Sequence, residues 1–134
     1  MSVVNEGRTE SASTEDTTVR YLAAVLAFTS QAIHLSILPE TFVVTLLPGF
    51  FFLFVGVAQG LLGVSLLLGS GRWTPRLGIP FNLLIVALWI ITRVVSLPAI
   101  TGSAQSSVGL LGIGATVVEV TLVVLLLRLL SISK

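Results

Sequence analysis

The side chains that could carry chemistry in this sequence are ionisable groups within apolar runs: His34, Glu40, Arg93 and Glu119. Arg93 stands inside "LWIITRVVSLP". A charged side chain deep in lipid costs from roughly 2.5 to more than 10 kcal/mol unless it faces protein and meets an opposite charge. We therefore expect Arg93 to pair with Glu119, or failing that with Glu40. Such a pair either fixes the register of two helices or forms part of a ligand-binding or proton-binding site.

The sequence offers little support for catalysis or for the binding of metals or nucleotides. His34 is the single histidine, the residue type that changes charge between pH 5 and 8, and it either titrates functionally or hydrogen-bonds to Ser30 or a loop carbonyl. A metal site of His34, Glu40 and Glu119 would require three ligands from different depths to converge. The chain has no cysteine and no nucleotide-binding motif. We predict no catalytic residue, metal or cofactor, and thus no enzyme.

The amino-acid composition indicates that lipid surrounds these residues. Of the 134 residues, 54% are hydrophobic and 10% are charged, and the mean hydropathy is +1.07. Residues 41–71 contain no charged residue or histidine, and about 20 such residues suffice to cross the hydrocarbon core of a bilayer. The expected partner is therefore the lipid bilayer, and a net charge of +1 gives no reason to expect nucleic acid.

The elements that position the ionisable residues are predicted transmembrane helices over residues 19–38, 42–68, 79–97 and 108–130. Pro39 and Pro98 should end the first and third helices, and Pro48 with Gly49 should kink the second. Residues 1–18 are acidic and rich in Ser and Thr, which is typical of disorder. The prediction is an all-α polytopic protein with a disordered cytoplasmic tail, 1–18, and an antiparallel four-helix transmembrane bundle, 19–134.

Orientation follows from the cations that flank the predicted helices, which fall on one side of this topology: Arg20, Arg72, Arg76, Arg128 and Lys134. Because Lys and Arg are retained on the cytoplasmic side, we predict a multi-pass protein of the cell membrane with both termini in the cytoplasm. At 1.5 Å per residue, His34 and Arg93 then lie in the outer third of the membrane. Glu119 lies close to the midplane.

Small residues recur at helical spacing and indicate close helix packing. On the second helix they are Gly56, Gly60 and Gly63, and on the fourth they are Gly109 and Gly112, which share their face with Glu119. These glycines pack either within the subunit or at an interface between two copies. The faces expected to meet neighbouring helices on the first and third helices contain Ala23, Ala27, Ser30 and His34, and Asn82, Val86, Trp89 and Arg93.

The segments "AIHLSILPETF", "GFFFLFVGVAQ", "ALWIITRVVSLP" and "VGLLGIGATVVE" resemble a group of small, uncharacterised prokaryotic four-helix membrane proteins. The resemblance covers residues 34–119 and implies no activity. It implies candidate site residues at His34, Glu40, Trp89, Arg93, Pro98 and Glu119. The chain departs from the group's pattern in two places: Thr41 stands where the group has a second histidine, and the first turns of the fourth helix lack an acid. If the group binds a cation there, this chain has lost ligands.

Two functions follow from these observations as expectations. The first is a non-enzymatic structural or accessory bundle that packs with copies of itself or with a larger membrane complex. The alternative is a small transporter or a proton- or ion-conducting module, with a polar cavity open to the outside. His34, Glu40, Arg93 and Glu119 would line that cavity.

Overall fold

The computed structural model describes residues 3–44, 46–69, 71–94 and 109–132, which form four helices: α1 (Val3–Val44), α2 (Leu46–Leu68), α3 (Trp73–Val94) and α4 (Leu110–Ile132). Each contains a segment long and apolar enough to cross a membrane. The predicted all-α, four-helix class is confirmed. The chain is a small multi-pass integral membrane protein.

The N-terminal segment differs from its prediction as a disordered tail, because α1 begins at Val3. Its polar residues form hydrogen bonds and an ion pair that could not be inferred from composition. Arg128 of α4 donates from Nε to Glu15 Oε1 at 3.1 Å, and the two residues form an ion pair. The hydroxyls of Thr17 and Thr18 donate to carbonyls one turn earlier, at 3.0 Å each. A contact with α4 therefore holds the helix beyond the apolar segment.

Pro39 does not end α1, which continues to Val44. A proline within a helix removes one N–H donor, but in transmembrane helices neighbouring hydroxyl groups and helices compensate for such losses. Here the Thr41 hydroxyl lies within 3.1 Å of the Ile37 carbonyl and 2.9 Å of the Leu38 carbonyl. The predicted end at residue 38 is therefore wrong by about one and a half turns.

The other helix boundaries also differ from the predicted ones. Since α2 begins at Leu46 rather than residue 42, Pro48 occupies its first turn, where the backbone N–H needs no intrahelical partner, so the predicted kink is not required. Helix α3 begins at Trp73 rather than residue 79 and contains Pro80. Helix α4 lies two residues later than predicted. Pro98 lies outside the described residues.

Helix α1 packs most extensively against α2 and also against α4, while α3 packs mainly against α4. Large side chains of α1 face the glycines of α2 in antiparallel order: Leu35 faces Gly56, Gln31 faces Gly60 and Phe28 faces Gly63. A Cβ atom added to these glycines would lie 2.8, 2.5 and 2.9 Å from the facing side chains. The absence of side chains along this face of α2 therefore lets the two helices approach closely.

The apolar core lies toward the α2–α3 connection. It combines small residues of α1 with leucines of α2 and α4: Ala23, Ala24, Ala27, Leu62, Leu66, Leu122, Leu126 and Leu129. Gly78 of α3 contributes by close approach, because its added Cβ would lie 2.9 Å from Leu126 and 3.0 Å from Leu62. Large apolar side chains on all four helices are exposed. In a membrane these side chains face lipid, as the hydropathy predicts.

Candidate functional site

A cluster of three polar side chains lies between α1 and α4: Ser30, His34 and Glu119. Their exposed fractions are 0%, 4% and 1%, so the surrounding helices enclose all three. His34 Nε2 lies 3.4 Å from Glu119 Oε1. The Ser30 hydroxyl donates to the same carboxylate oxygen at 3.5 Å. The cluster thus links α1 to α4 within the membrane-spanning part of both helices.

The hydrogen bonds of His34 define its tautomer. Nδ1 lies 2.8 Å from the Ser30 carbonyl oxygen, and because a carbonyl oxygen can only accept, Nδ1 carries a hydrogen and donates it. In a neutral ring Nε2 is then an acceptor, facing the acceptor oxygen of an ionised Glu119. A favourable contact therefore requires one additional proton, held either by Nε2 or by the carboxyl group. This arrangement can hold and exchange a proton.

The ring of Phe52 on α2 covers His34, with 5.8 Å between the ring centroids and an angle of 37° between the planes. Side chains from three helices thus meet at this site. Its depth follows from helix length: His34 lies ten residues before Val44, and Glu119 lies nine residues after Leu110. At 1.5 Å per residue both are about 14–15 Å from the same end of the bundle.

The expectation that His34 and Glu119 differ in depth is therefore wrong. The predicted helix ended at residue 38, which placed His34 only one turn from the membrane surface. Because α1 continues to Val44, His34 lies deeper and reaches the level of Glu119. The acid of α4 accordingly contacts the histidine of α1.

The other predicted site residues are not among the described partners of His34 and Glu119. Arg93 belongs to α3, but its side chain lies outside the described residues, and so does the predicted Arg93–Glu119 pair. Glu40 is exposed within α1, and Trp89 is half-buried on α3. Within the described part of the chain, no three His, Asp or Glu side chains are grouped closely enough to hold a metal ion.

The predicted packing glycines divide into two groups. Gly56, Gly60 and Gly63 are buried and face α1 within the subunit. Gly109 instead is exposed just before α4, where its carbonyl accepts hydrogen bonds from the backbone N–H groups of Gly112 and Ile113 at 3.0 and 3.2 Å. Gly109 therefore helps to start the helix, and Gly112 is half-buried within it. The packing face of Gly109 and Gly112 stays a prediction.

A second buried polar pair joins α2 to α3. Gln59 and Asn82 are both fully buried, and Gln59 Nε2 donates to Asn82 Oδ1 at 2.7 Å. Asn82 Nδ2 in turn donates to the Gly78 carbonyl at 2.8 Å. Gln59 Oε1 has no hydrogen-bond partner among the described residues. This pair fixes the position of α3 against α2, much as the His34 cluster joins α1 to α4.

The substitution Asn82→Leu is expected to lower the free energy of unfolding by about 1–2 kcal/mol, because it leaves the Gln59 amide buried without its acceptor. The double variant Gln59→Leu/Asn82→Leu should recover most of this loss, since replacing both partners by apolar groups is often nearly neutral. Unfolding of the purified protein in detergent, followed by circular dichroism, measures both. Losses that simply add in the double variant would contradict the assignment of this hydrogen bond.

The sequence pattern indicated only part of the role of Ser30 and did not indicate the packing role of Gly78. Ser30 stands one helical turn before His34, and this spacing identified it as a possible partner of the histidine, without indicating that it would also reach Glu119. Gly78 was assigned to the connection between two helices. The structure places it within α3, against Leu62 and Leu126. Only the earlier start of α3, at Trp73, makes its packing role visible.

Comparison with known proteins adds no functional assignment. No family model matches the sequence, and no curated protein or solved structure matches it. The resemblance to small prokaryotic four-helix membrane proteins therefore stays a prediction. Function has to be inferred from the arrangement of the helices and from the polar groups between them.

Proposed function

We propose that this protein is a non-enzymatic structural or accessory component of the cell membrane, which packs with copies of itself or with a larger membrane complex. The observation that carries the proposal is the enclosure of its polar interior: Ser30, His34, Glu119, Gln59 and Asn82 are all buried and bonded to one another across helix pairs. We also place the chain with the small prokaryotic membrane proteins that its motifs resemble.

Buried polar pairs suit a packing role because they select one arrangement of the helices. Apolar side chains gain little from association in lipid, so membrane helices associate through close packing and interhelical hydrogen bonds. The glycines of α2 supply the close packing, and the two polar clusters supply the hydrogen bonds. The result is a bundle of defined register whose outer surface is apolar on every helix. Such a surface suits lipid and other transmembrane helices.

We propose that both termini lie in the cytoplasm. Three of the cations that predicted this orientation, Arg20, Arg72 and Arg128, lie at the same end of the bundle. Arg20 of α1 and Arg72, just before α3, line the same cavity, while Arg128 of α4 pairs with Glu15 of α1. Because Lys and Arg are retained on the cytoplasmic side of membranes, this end is assigned to the cytoplasm.

The test is purification of the tagged full chain from its native membrane in a mild detergent, followed by measurement of the mass of the complex and identification of its components. The proposal predicts a discrete oligomer or a stoichiometric partner. Val57→Trp, which enlarges an exposed residue of α2, and analogous variants on each helix should identify the face involved. A monodisperse monomer with no stoichiometric partner would contradict the proposal.

The contact between His34 and Glu119 favours a second candidate, a proton-conducting module. The two groups lie 3.4 Å apart inside the membrane-spanning segments, and the His34 tautomer calls for one proton between them. Proton flux into liposomes containing the protein, driven by a pH gradient, tests this function. The candidate predicts flux that His34→Ala and Glu119→Gln abolish and Glu40→Gln leaves intact. Flux no greater than that of empty liposomes would eliminate it.

A further inference from the structure

A cavity of about 150 Å³ lies at the end of the bundle where α2 connects to α3. Polar and charged residues from several elements line it, chiefly Asp16, Arg20, Ser65, Arg72 and Thr74. This volume exceeds that of a water molecule several-fold. The proposed packing function makes no use of it.

Arg20 occupies an unusual position in the cavity wall. Its guanidinium lies against Gly69 so closely that a Cβ atom there would be 2.7 Å from Nη1. Gly69 has a φ of 70°, in the left-handed region that glycine adopts readily. The Arg20 Nε atom is buried and has no hydrogen-bond partner among the described residues. This burial keeps Nε itself out of reach of the cavity, and Arg20 contributes to the cavity wall as a positive charge.

The charges of the cavity wall favour an anion. Among the described side chains of the wall, Arg20 and Arg72 contribute two positive charges and Asp16 one negative charge, which sum to one positive unit. Thr74 and Pro75, in the first turn of α3, also line the cavity. The N-terminal end of a helix carries a partial positive charge. A ligand with one negative charge and several acceptor oxygens matches this environment.

Aromatic residues place the cavity at the level of lipid headgroups. Tyr21 and Trp73 are 49% and 70% exposed, and each ring lies beside an arginine, with Arg20 at 5.6 Å and Arg76 at 5.8 Å from the ring centroids. Tyrosine and tryptophan concentrate at membrane–water interfaces. The cavity, which shares Arg20 with the first of these pairs, therefore lies where the phosphates of one leaflet are.

We propose that this cavity binds a phosphate group, which Arg20 and Arg72 hold beside the positive end of α3. Two sources carry this chemistry: the phosphodiester of an anionic lipid and free inorganic phosphate. The net charge of the wall matches a monoanionic phosphodiester, and the interfacial level gives a lipid headgroup direct access. This site is separate from the buried clusters and goes beyond the packing function proposed above.

The test measures the unfolding temperature of the purified full chain in neutral detergent while phosphatidylglycerol, phosphatidylcholine or inorganic phosphate is added. Phosphatidylglycerol is expected to raise the unfolding temperature with saturation and to do so at lower concentration than phosphatidylcholine. Arg20→Gln and Arg72→Gln should each weaken its apparent affinity about ten-fold or more, as expected for the loss of a charge-assisted hydrogen bond. Arg76→Gln, a cation of the same helix end outside the cavity wall, is the matched control and should keep the full response.

The three additions separate the possible sources. A response to phosphatidylglycerol without one to inorganic phosphate assigns a lipid headgroup, and saturable responses to both assign the phosphate group itself. Equal responses to the two lipids, no response at all, or responses undiminished in both Arg20→Gln and Arg72→Gln would overturn the proposal. Far-ultraviolet circular dichroism of each variant verifies its helical fold, and because Arg72 is exposed, Arg72→Gln tests the proposal even if Arg20→Gln fails to fold.

Discussion

The substitution His34→Ala is expected to lower the free energy of unfolding by about 2–3 kcal/mol, because it removes a buried ring and the interhelical partner of Glu119. The ring is 4% exposed, so its loss leaves a void beside Phe52. The Glu119 carboxyl group would keep only the Ser30 hydroxyl, at 3.5 Å, among its described partners. Reversible unfolding in mixed detergent micelles measures the change.

A double-mutant cycle separates the contact from the void. His34→Ala, Glu119→Ala and the double variant should give a coupling energy of about 1 kcal/mol, within the range measured for interhelical hydrogen bonds in membranes. Glu40→Ala is the matched control, since this acid is exposed on the same helix as His34, and it should change stability little. Independent effects of the His34 and Glu119 substitutions would contradict the contact.

The second large effect is expected for Gly78→Val, which should destabilise the bundle by about 1–3 kcal/mol, the usual cost of overpacking a well-packed core. An added Cβ would lie 2.9 Å from Leu126 and 3.0 Å from Leu62. Both leucines are buried, so neither can turn toward lipid to make room. The unfolding temperature in detergent, compared with that of the unmodified chain, measures the effect.

Gly114→Val is the matched control for Gly78→Val. Gly114 lies within α4, and no heavy atom of another described element lies within 4 Å of its added Cβ. The change in intrinsic helix propensity is similar at the two sites, because both substitutions replace glycine by valine within a helix. A steric clash with neighbouring side chains is expected only at Gly78. If both variants lost the same stability, close packing of α3 against Leu62 and Leu126 would not be the cause.

Hydropathy was sufficient to predict the four transmembrane helices, because the cost of exposing a polar backbone or side chain in lipid dominates the choice of structure. It was insufficient for the helix ends. The prediction for α1 relied on Pro39 as a terminator and on the polarity of residues 1–18 as a sign of disorder. The structure continues α1 through Pro39 to Val44 and back to Val3. A partner on another helix, Arg128 for Glu15, is not visible from local composition.

The candidate site was predicted in its residue types, whereas the contact between His34 and Glu119 was not predicted. Helical spacing correctly grouped Ser30 with His34 on a face of α1, and both are buried. Charge complementarity favoured Arg93 as the partner of Glu119, and that pair stays a prediction because the Arg93 side chain lies outside the described residues. The contact with His34 was missed because an early predicted helix end separated His34 from Glu119 in depth. Which side chains meet depends on the relative register of two helices, and one misplaced helix end is enough to shift that register by more than a turn.

The most direct test of the account is the distance between His34 and Glu119 in a lipid bilayer, measured by solid-state nuclear magnetic resonance. Because the chain has a single histidine, ¹⁵N-labelled histidine gives one Nε2 signal, and Glu119→Gln identifies the carboxyl carbon among the glutamates. We expect a short-range dipolar coupling between His34 Nε2 and the Glu119 carboxyl carbon, in keeping with 3.4 Å between Nε2 and Oε1. A well-resolved Nε2 signal without that coupling would show that the two side chains do not meet in the bilayer.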